Sequence, residues 1–397
     1  MKKLVKLLDP EVQEFIKSHE NDDISSLILK GSPFNNVDIQ LIAQQIKGRQ
    51  VAKHKFSNLY HTNNILYPPK LNLEQASSQI TAEYKSRLIE KDCSLIDLTG
   101  GFGIDSMAFT STAKDVSYCE LNEETYFYAT HNFKSLGLDI KTFQTNGIQY
   151  LKDYKDKFDW IYIDPARRDN HSSKVFKLED CTPNILDYIN LFKSKCKRLM
   201  VKISPLFDIN LSLKQLPEIT EIHIVAYKNE VKELLLILNF ENENLKPKIN
   251  AINLSTDQEI LRSDYEDVNL PQNLSKPLNY LYEPNAAIMK SGFYGALCRN
   301  YNVNALAKNS HLFTSDVLVD FPGRCFKIEH VISPKSKEIN KYIHSKRANI
   351  STRNYPLKPN EIKKKYKLKD GGSTFVFFTE NIKKEKIVLI CKKIKRP

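Results

Sequence analysis

The hydrophobic positions change their period along the chain. Leu4, Leu7 and Leu8, then Val12, Phe15 and Ile16, recur three and four residues apart, and residues 27–29 and 39–46 continue the pattern. That spacing predicts a helical region over residues 1–66. Tyr67-Pro68-Pro69 interrupts it, because proline brings no N–H to a helix. A further helix is expected over residues 73–89, with Glu83, Lys85 and Arg87 interrupting its apolar face. From Ser94 short apolar runs take over, at 94–98, 116–120, 140–145, 158–164, 199–204, 219–226 and 234–240. Helix-like stretches such as 123–136 and 183–192 separate most of them, which predicts βαβ units and a mainly parallel sheet. Only a short polar stretch at Lys228-Asn229-Glu230 divides the last two runs. A parallel crossover needs a dozen or more residues, so that pair is expected to be an antiparallel hairpin.

Residues 241–276 are polar and irregular, and read as an edge or linker; residues 280–314 are apolar and aromatic again. The end of the chain then predicts strand, helix, strand, helix, strand, strand over 325–332, 337–346, 349–353, 361–366, 374–379 and 387–392, with a turn at Asp370-Gly371-Gly372. The expected organisation is an N-terminal helical region over 1–90, a parallel-sheet domain over 91–245, a linker and small segment over 246–320, and a small α+β domain over 321–397.

Charge sharpens that division. The 397 residues carry a formal net charge of +12, yet residues 1–320 hold 38 Lys/Arg against 41 Asp/Glu, and residues 321–397 hold 21 against 6. A uniformly basic protein is excluded; a near-neutral body carries one basic module. Arg324, Lys346, Arg347, Arg353, Lys363 and Lys364 lie in that module, interleaved with Tyr342, Tyr355 and Tyr366. On charge alone such a module suits nucleic acid, a membrane surface or mere solubility; as candidate nucleic-acid contacts these residues would neutralise phosphates with little sequence preference. The lysines of the 392–397 tail read more simply as solubilising. No apolar run reaches the roughly 18–20 residues that span a bilayer. The basic start runs straight into Asp9-Pro10-Glu11, leaving no signal-peptide core. Seven cysteines without a C-x-x-C pair suggest neither disulfides nor a metal site, and a cytoplasmic location is expected.

Glycine is scarce, 12 in the chain, yet three fall together in Asp97-Leu98-Thr99-Gly100-Gly101-Phe102-Gly103, where the first strand gives way to a helix. Such a turn lets a ligand approach the backbone. The dinucleotide fingerprint does not fit, because Ser106 stands at its third glycine position and the acidic Asp97 precedes the turn. An acidic residue there suits a ligand with a cationic amino group. Glu120 ends the second strand, 17 residues after Gly103, where a carboxylate can accept ribose hydroxyls. Asn146 follows the third strand, within reach of an adenine edge. Asp164-Pro165-Ala166-Arg167-Arg168 follows the fourth. Each alone reads as well as a surface carboxylate or a cap; four successive strand ends carrying the right types read as a cofactor crevice.

Asp97–Gly103, Glu120, Asn146 and Asp164–Arg168 resemble the ordered motifs of class I S-adenosylmethionine-dependent methyltransferases. The chain departs from them at Thr99, where that family usually has glycine, and at Asn146, where it usually has Asp. Six parallel-type strands with a seventh inserted antiparallel also suit that version of the fold. Tyr67-Pro68-Pro69, residues 74–85, 97–105, 163–169 and 282–290, Phe321-Pro322-Gly323-Arg324 and residues 367–372 resemble a bacterial methyltransferase family with a C-terminal THUMP-like domain preceded by a small ferredoxin-like segment. The resemblance implies a seven-stranded Rossmann-like sheet and S-adenosyl-L-methionine as cofactor. Asp97, Thr99, Gly101, Gly103, Glu120, Asn146 and Asp164 would bind it. It also implies an RNA substrate, tRNA or rRNA; from the apolar runs and cysteine spacing, no membrane or metal partner is expected.

Asp164, at the strand end beside the methyl group, and Arg167, three residues on, are the candidate catalytic residues. Amino-group methyltransferases usually follow such an Asp-Pro with a second proline and an aromatic that stacks on a flipped base; here Ala166 and Arg167 replace them. Arg167 and Arg168 have two open readings, contact with a phosphate or purine edge, or an ion pair with Asp169 or Asp180. Cys181 reads as a buried, inert thiol before it reads as a nucleophile. Residues 202–205, after the fifth strand, are expected to line the crevice, whereas His131-Asn132 reads at least as well as a helix-surface pair. Two other functions stay open: an RNA-binding protein with a vestigial cofactor site, and a methyltransferase of a small molecule or protein.

Overall fold

Strand β1 (Ser94–Asp97) is the centre of a parallel sheet, paired on one side with β2 (Asp115–Glu120) and on the other with β4 (Phe158–Ile163). The computed structural model describes residues 2–167, 177–242, 246–258 and 260–396. They divide into two compact units, residues 1–220 with 235–245, and residues 221–234 with 246–397.

In the first unit β3 (Ile140–Gln144) pairs parallel with β2, and β5 (Cys196–Ile203) pairs parallel with β4. The strand order is β3-β2-β1-β4-β5, and the second half of β7 (Glu230–Asn239) lies beside β5. The central strands β1 and β4 are buried at nearly every position, as a parallel sheet covered on both faces requires, whereas the edge strand β3 is only partly buried. The N-terminal region is helical as expected, with Pro10–Ser18, Ile24–Lys30 and Ile39–Lys55 packed in one cluster that reaches Phe102, Ile104 and Tyr128 of the sheet domain. The single helix expected over 73–89 is two, Lys70–Gln75 and Gln79–Ser86. Ser78 caps the second by accepting from Thr81 N, and this side-chain competition for backbone N–H groups is what divides the run.

Carboxamides tie the proline-rich segment down. Asn132 exchanges two hydrogen bonds with the Leu66 backbone at 2.9 and 3.0 Å, and Gln45 exchanges two with that of Tyr67 at 2.7 and 2.9 Å. Asn132 is fully buried and so is no surface position; a buried extended segment must find partners for its backbone, and these side chains are those partners.

In the second unit β6 (Ile219–Tyr227) and β7 are adjacent, joined by Lys228 and Asn229 at φ of 50° and 62°. Two positive-φ residues make the tight turn of an antiparallel hairpin, as the short polar stretch predicts. The residues read as an edge or linker add two strands at the edge of the sheet: β8 (Lys248–Leu254), parallel to β6, and β9 (Leu261–Asp264), antiparallel to β8. Asn250, Asn253 and Ser263 are buried there, so polar side chains masked the strand pattern. The remaining strands are β10 (Tyr280–Pro284), β11 (Asn304–Ala305), β12 (Phe313–Ser315), β13 (Gly323–Ile332), β14 (Asn349–Thr352), β15 (Thr374–Glu380) and β16 (Lys386–Ile394). They form one seven-stranded sheet in the order β11-β12-β10-β13-β16-β15-β14. Helices Ser336–Tyr342 and Pro359–Tyr366 complete the strand-helix pattern read from the sequence.

Candidate active site

Because β1 to β4 run parallel, their C-terminal ends lie on one edge of the sheet, and the candidate residues gather there. The turn after β1 is held by its own backbone: Gly103 N donates to Gly100 O at 2.8 Å and Gly100 N to Cys119 O at 2.9 Å. Gly101 and Gly103 sit at φ of 53° and 81°, the left-handed region. A Cβ on Gly100 would come within 2.0 Å of the Tyr118 ring, so only glycine fits at that position.

Two contacts join the turn to neighbouring strand ends. Gly101 N donates to Glu120 Oε2 at 2.9 Å, while Glu120 Oε1 accepts from Asn122 N at 2.7 Å. Thr99 Oγ1 accepts from Asp164 N at 2.7 Å. Thr99 thus ties the turn to the loop after β4, a bond that glycine could not make. Asn146 caps helix Gly147–Asp153, its Oδ1 accepting from Ile148 N and Gln149 N at 3.0 and 3.1 Å.

Asp97 is buried, 1% exposed, accepting from Ser106 Oγ at 2.6 Å and Thr99 N at 3.0 Å. Burial pushes its carboxyl up to about 7, against those two hydrogen bonds, with the charges of Asp105 and Asp164 adding to the rise. Beneath it lies a buried network that the sequence reading missed. Lys85 is wholly buried and pairs with Asp105 at 3.1 Å; Asp105 Oδ2 accepts from Ser77 Oγ at 2.7 Å and Tyr162 Oη at 2.8 Å. Burial opposes ionisation of Asp105, but the Lys85 and Lys202 charges and these hydrogen bonds outweigh it and hold the carboxyl below its usual range. The available signal was Lys85 itself, a lysine interrupting an apolar helix face.

Lys202, near the end of β5, pairs with Asp164 Oδ2. The Lys202 side chain is 13% exposed and that of Asp164 35%. Ala166 and Arg167 pair with Thr182 and Cys181 in a short antiparallel ribbon. Cys181 is buried there. The Arg167 side chain and residues 168–176, Arg168 and Asp169 among them, lie outside the described residues.

The basic module separates its candidates. Arg324 and Arg353 both turn onto one carboxylate, Glu283, which is 4% exposed. Arg324 Nε donates to Glu283 Oε2 at 2.6 Å, and Arg353 Nη2 to Oε1 at 2.6 Å. Each therefore has an internal counter-ion, and the two side chains remain 39% and 35% exposed. Lys363 pairs with Asp370 at 2.6 Å, and Lys346 donates to Asn340. Lys346, Arg347 and Lys364 are exposed, and among the described residues Arg347 and Lys364 have no ion-pair partner. Among the described residues no group of three or more His, Cys, Asp or Glu is placed to hold a metal ion, and no helix is long and apolar enough to cross a membrane.

A parallel sheet with a glycine turn after its first strand, an acidic residue ending its second and an Asp-Pro after its fourth defines a methyltransferase-type site. Comparison with known proteins agrees. The chain is 30% identical to a Porphyromonas gingivalis W83 protein, provisionally designated a methyltransferase, whose crystal structure it matches with a TM-score of 0.88 over 98% of this chain and 99% of that one. Residues 280–322 match a ferredoxin-like domain model and residues 323–393 a THUMP domain-like model. The chain belongs to this bacterial methyltransferase family with a C-terminal THUMP-like domain. More distant similarities include a Listeria monocytogenes protein provisionally placed among class I S-adenosylmethionine-dependent methyltransferases, 12% identical over 64% of this chain and 90% of that one, with a TM-score of 0.37. Another is M. capricolum TrmK bound to S-adenosyl-homocysteine, 16% identical over 42% and 69%, with a TM-score of 0.32. No curated protein matches the chain.

Proposed function

We propose that the protein transfers a methyl group from S-adenosylmethionine to a nucleotide of structured RNA. The observation that carries this reading is the joining of three strand ends through one turn: Gly101 N to Glu120 and Thr99 Oγ1 to Asp164 N. A carboxylate offers about four acceptor positions. Glu120 uses two of them on backbone amides, which leaves capacity for the two ribose hydroxyls. The Asn146 Nδ2 donor serves the adenine edge while its oxygen caps the helix. Backbone at Gly101 and Gly103 admits the methionine part, and Asp97 supplies negative charge toward its amino group.

S-adenosylmethionine supplies an activated methyl on a sulfonium. The chain's own task is then to position the acceptor and to remove a proton where the acceptor carries one. Asp164 stands at the strand end where that acceptor must lie. RNA as the substrate class is supported by the basic, THUMP-like C-terminal segment, whose exposed Lys346, Arg347 and Lys364 suit a phosphate backbone.

The test has two parts. Calorimetry should show binding of S-adenosylmethionine by the full chain and its loss in Glu120→Ala. Nucleoside mass spectrometry of RNA from cells with and without the gene should show one methylated species missing. No binding in the first measurement overturns the enzyme reading; binding with no missing species moves the substrate away from RNA.

A further inference from the structure

The pairing of Lys202 with Asp164 bears on the kind of atom that is methylated. Lys202 lies on β5, Asp164 just beyond β4, and both belong to the same compact unit. Their pair is the outer member of a sequence of opposite charges that begins at the buried Lys85–Asp105 pair. The inner pair is fully enclosed and its carboxylate further satisfied by Ser77 and Tyr162. The outer pair opens to solvent on the Asp164 side and is anchored to the glycine turn by the bond from Asp164 N to Thr99. An acceptor standing at Asp164 therefore meets a carboxylate and a largely buried ammonium together.

That combination discriminates between acceptors. An amine nitrogen that attacks a sulfonium methyl gains positive charge, which the Asp164 carboxylate alone can offset and an adjoining ammonium does not help. A hydroxyl oxygen that attacks must shed its proton and gains negative character, so it has a use for both members of the pair, the carboxylate as proton acceptor and the ammonium beside the developing charge. The second proline and the aromatic that amino-group methyltransferases usually carry after such an Asp-Pro are replaced in the sequence by Ala166 and Arg167. Methylation at a pyrimidine carbon would need a thiol nucleophile, and Cys181 is buried in the short ribbon.

We propose that Lys202 and Asp164 form a proton-handling pair that fits this enzyme to a hydroxyl acceptor, the ribose 2′-hydroxyl of its RNA. The inference rests on the methyl-transfer reading above. In the step, a lone pair of the hydroxyl oxygen forms the new bond to the methyl carbon. The bond from that carbon to the donor's sulfur breaks, and its electron pair stays on sulfur as a thioether. The hydroxyl proton passes to the Asp164 carboxylate and later to solvent. Lys202 donates a hydrogen bond to the oxygen as negative charge develops on it, and is unchanged at the end.

The experiment incubates the full chain with S-adenosylmethionine bearing a deuterated methyl and RNA from cells lacking the gene. Alkali cleaves RNA only where the 2′-hydroxyl is free, so methylated riboses survive as alkali-resistant dinucleotides and mass spectrometry locates the label. Label on ribose is the expected result. Lys202→Met and Lys202→Gln should lower the rate on the order of 100-fold or more, measured on variants that circular dichroism shows to be folded and that still bind S-adenosylmethionine by calorimetry. Label on a base overturns the inference and leaves the proposed function standing. An unlabelled RNA despite measured binding of S-adenosylmethionine overturns the inference too. Absence of both label and binding removes the proposed function and the inference together. Ribose label at an undiminished rate in folded Lys202 variants overturns the role of Lys202.

Discussion

Thr99 Oγ1 accepts a hydrogen bond from the backbone N–H of Asp164 at 2.7 Å. The residue that departs from the family's usual glycine is thereby the strut between the cofactor turn and the acceptor loop. Thr99→Val keeps the shape and removes the acceptor, leaving a half-buried N–H without its partner, at about 1–3 kcal/mol. Thermal melting should register that loss, and turnover should fall more than S-adenosylmethionine affinity. Thr99→Ser, which retains the oxygen, should restore both.

Asp97 gives the protein a pH signature. Its carboxyl rises from 3.8 unfolded to about 7 folded, so the folded chain holds a proton that the unfolded chain releases. The stabilisation is complete below pH about 4 and is lost as pH climbs through 7, with a maximal slope of about 1.4 kcal/mol per pH unit. Melting curves from pH 5 to 8 should show wild type losing ground to Asp97→Asn. Binding of S-adenosylmethionine, whose amino cation favours the ionised form, should strengthen over the same interval, and a flat affinity profile would remove Asp97 from the amino-group contact.

Gly100 is fixed by space. Adding one methyl places it 2.0 Å from the Tyr118 ring, which is itself buried and holds Gly101 O through its hydroxyl at 2.6 Å. Gly100→Ala should cost at least the ~1–3 kcal/mol of an overpacked core. Calorimetry should show weaker S-adenosylmethionine binding even below the melting transition.

Glu283 is a structural centre of the C-terminal unit. Removing it leaves Arg324 and Arg353 facing each other without their shared counter-ion. A fully buried pair broken this way costs about 3–5 kcal/mol; with both guanidinium groups partly in water, ~2–3 kcal/mol is expected. Denaturant melts should rank Glu283→Ala as more damaging than Arg324→Ala or Arg353→Ala.

RNA affinity should depend on the cations that lack internal partners. Arg347→Glu with Lys364→Glu should weaken binding and reduce the slope of log affinity against log salt by roughly one for each lost phosphate contact. Lys363→Ala should matter less, because Asp370 already neutralises that ammonium. Mobility shifts over a salt series make the comparison.

Much of this architecture was legible in the chain itself. Alternating apolar runs located the parallel strands, the short polar stretch at Lys228-Asn229-Glu230 located the hairpin, and the glycine turn, Glu120, Asn146 and Asp164 all fall at strand ends on one edge of the sheet. Each of these is a local pattern, set by backbone period or by a residue's own conformational freedom. Residues 241–276, read as an edge or linker, supply the strands at the sheet's edge; the pattern hid them because Asn250, Asn253 and Ser263 are polar residues buried inside strands, satisfied by partners such as Glu221, Gln258 and Asp267 that only the fold brings near.

What tertiary structure decided is which charges meet. Sequence spacing gives no reason for Lys85 to lie against Asp105, for Lys202 to reach Asp164, or for Arg324 and Arg353 to share Glu283. These partners come from different strands, helices and loops, 20 to 70 residues apart, and ion pairing falls off with distance in space, which the fold alone sets. The same reason divides the basic module. Its charge is fixed by composition, whereas which of its lysines and arginines stand without an internal ion-pair partner is set by the fold.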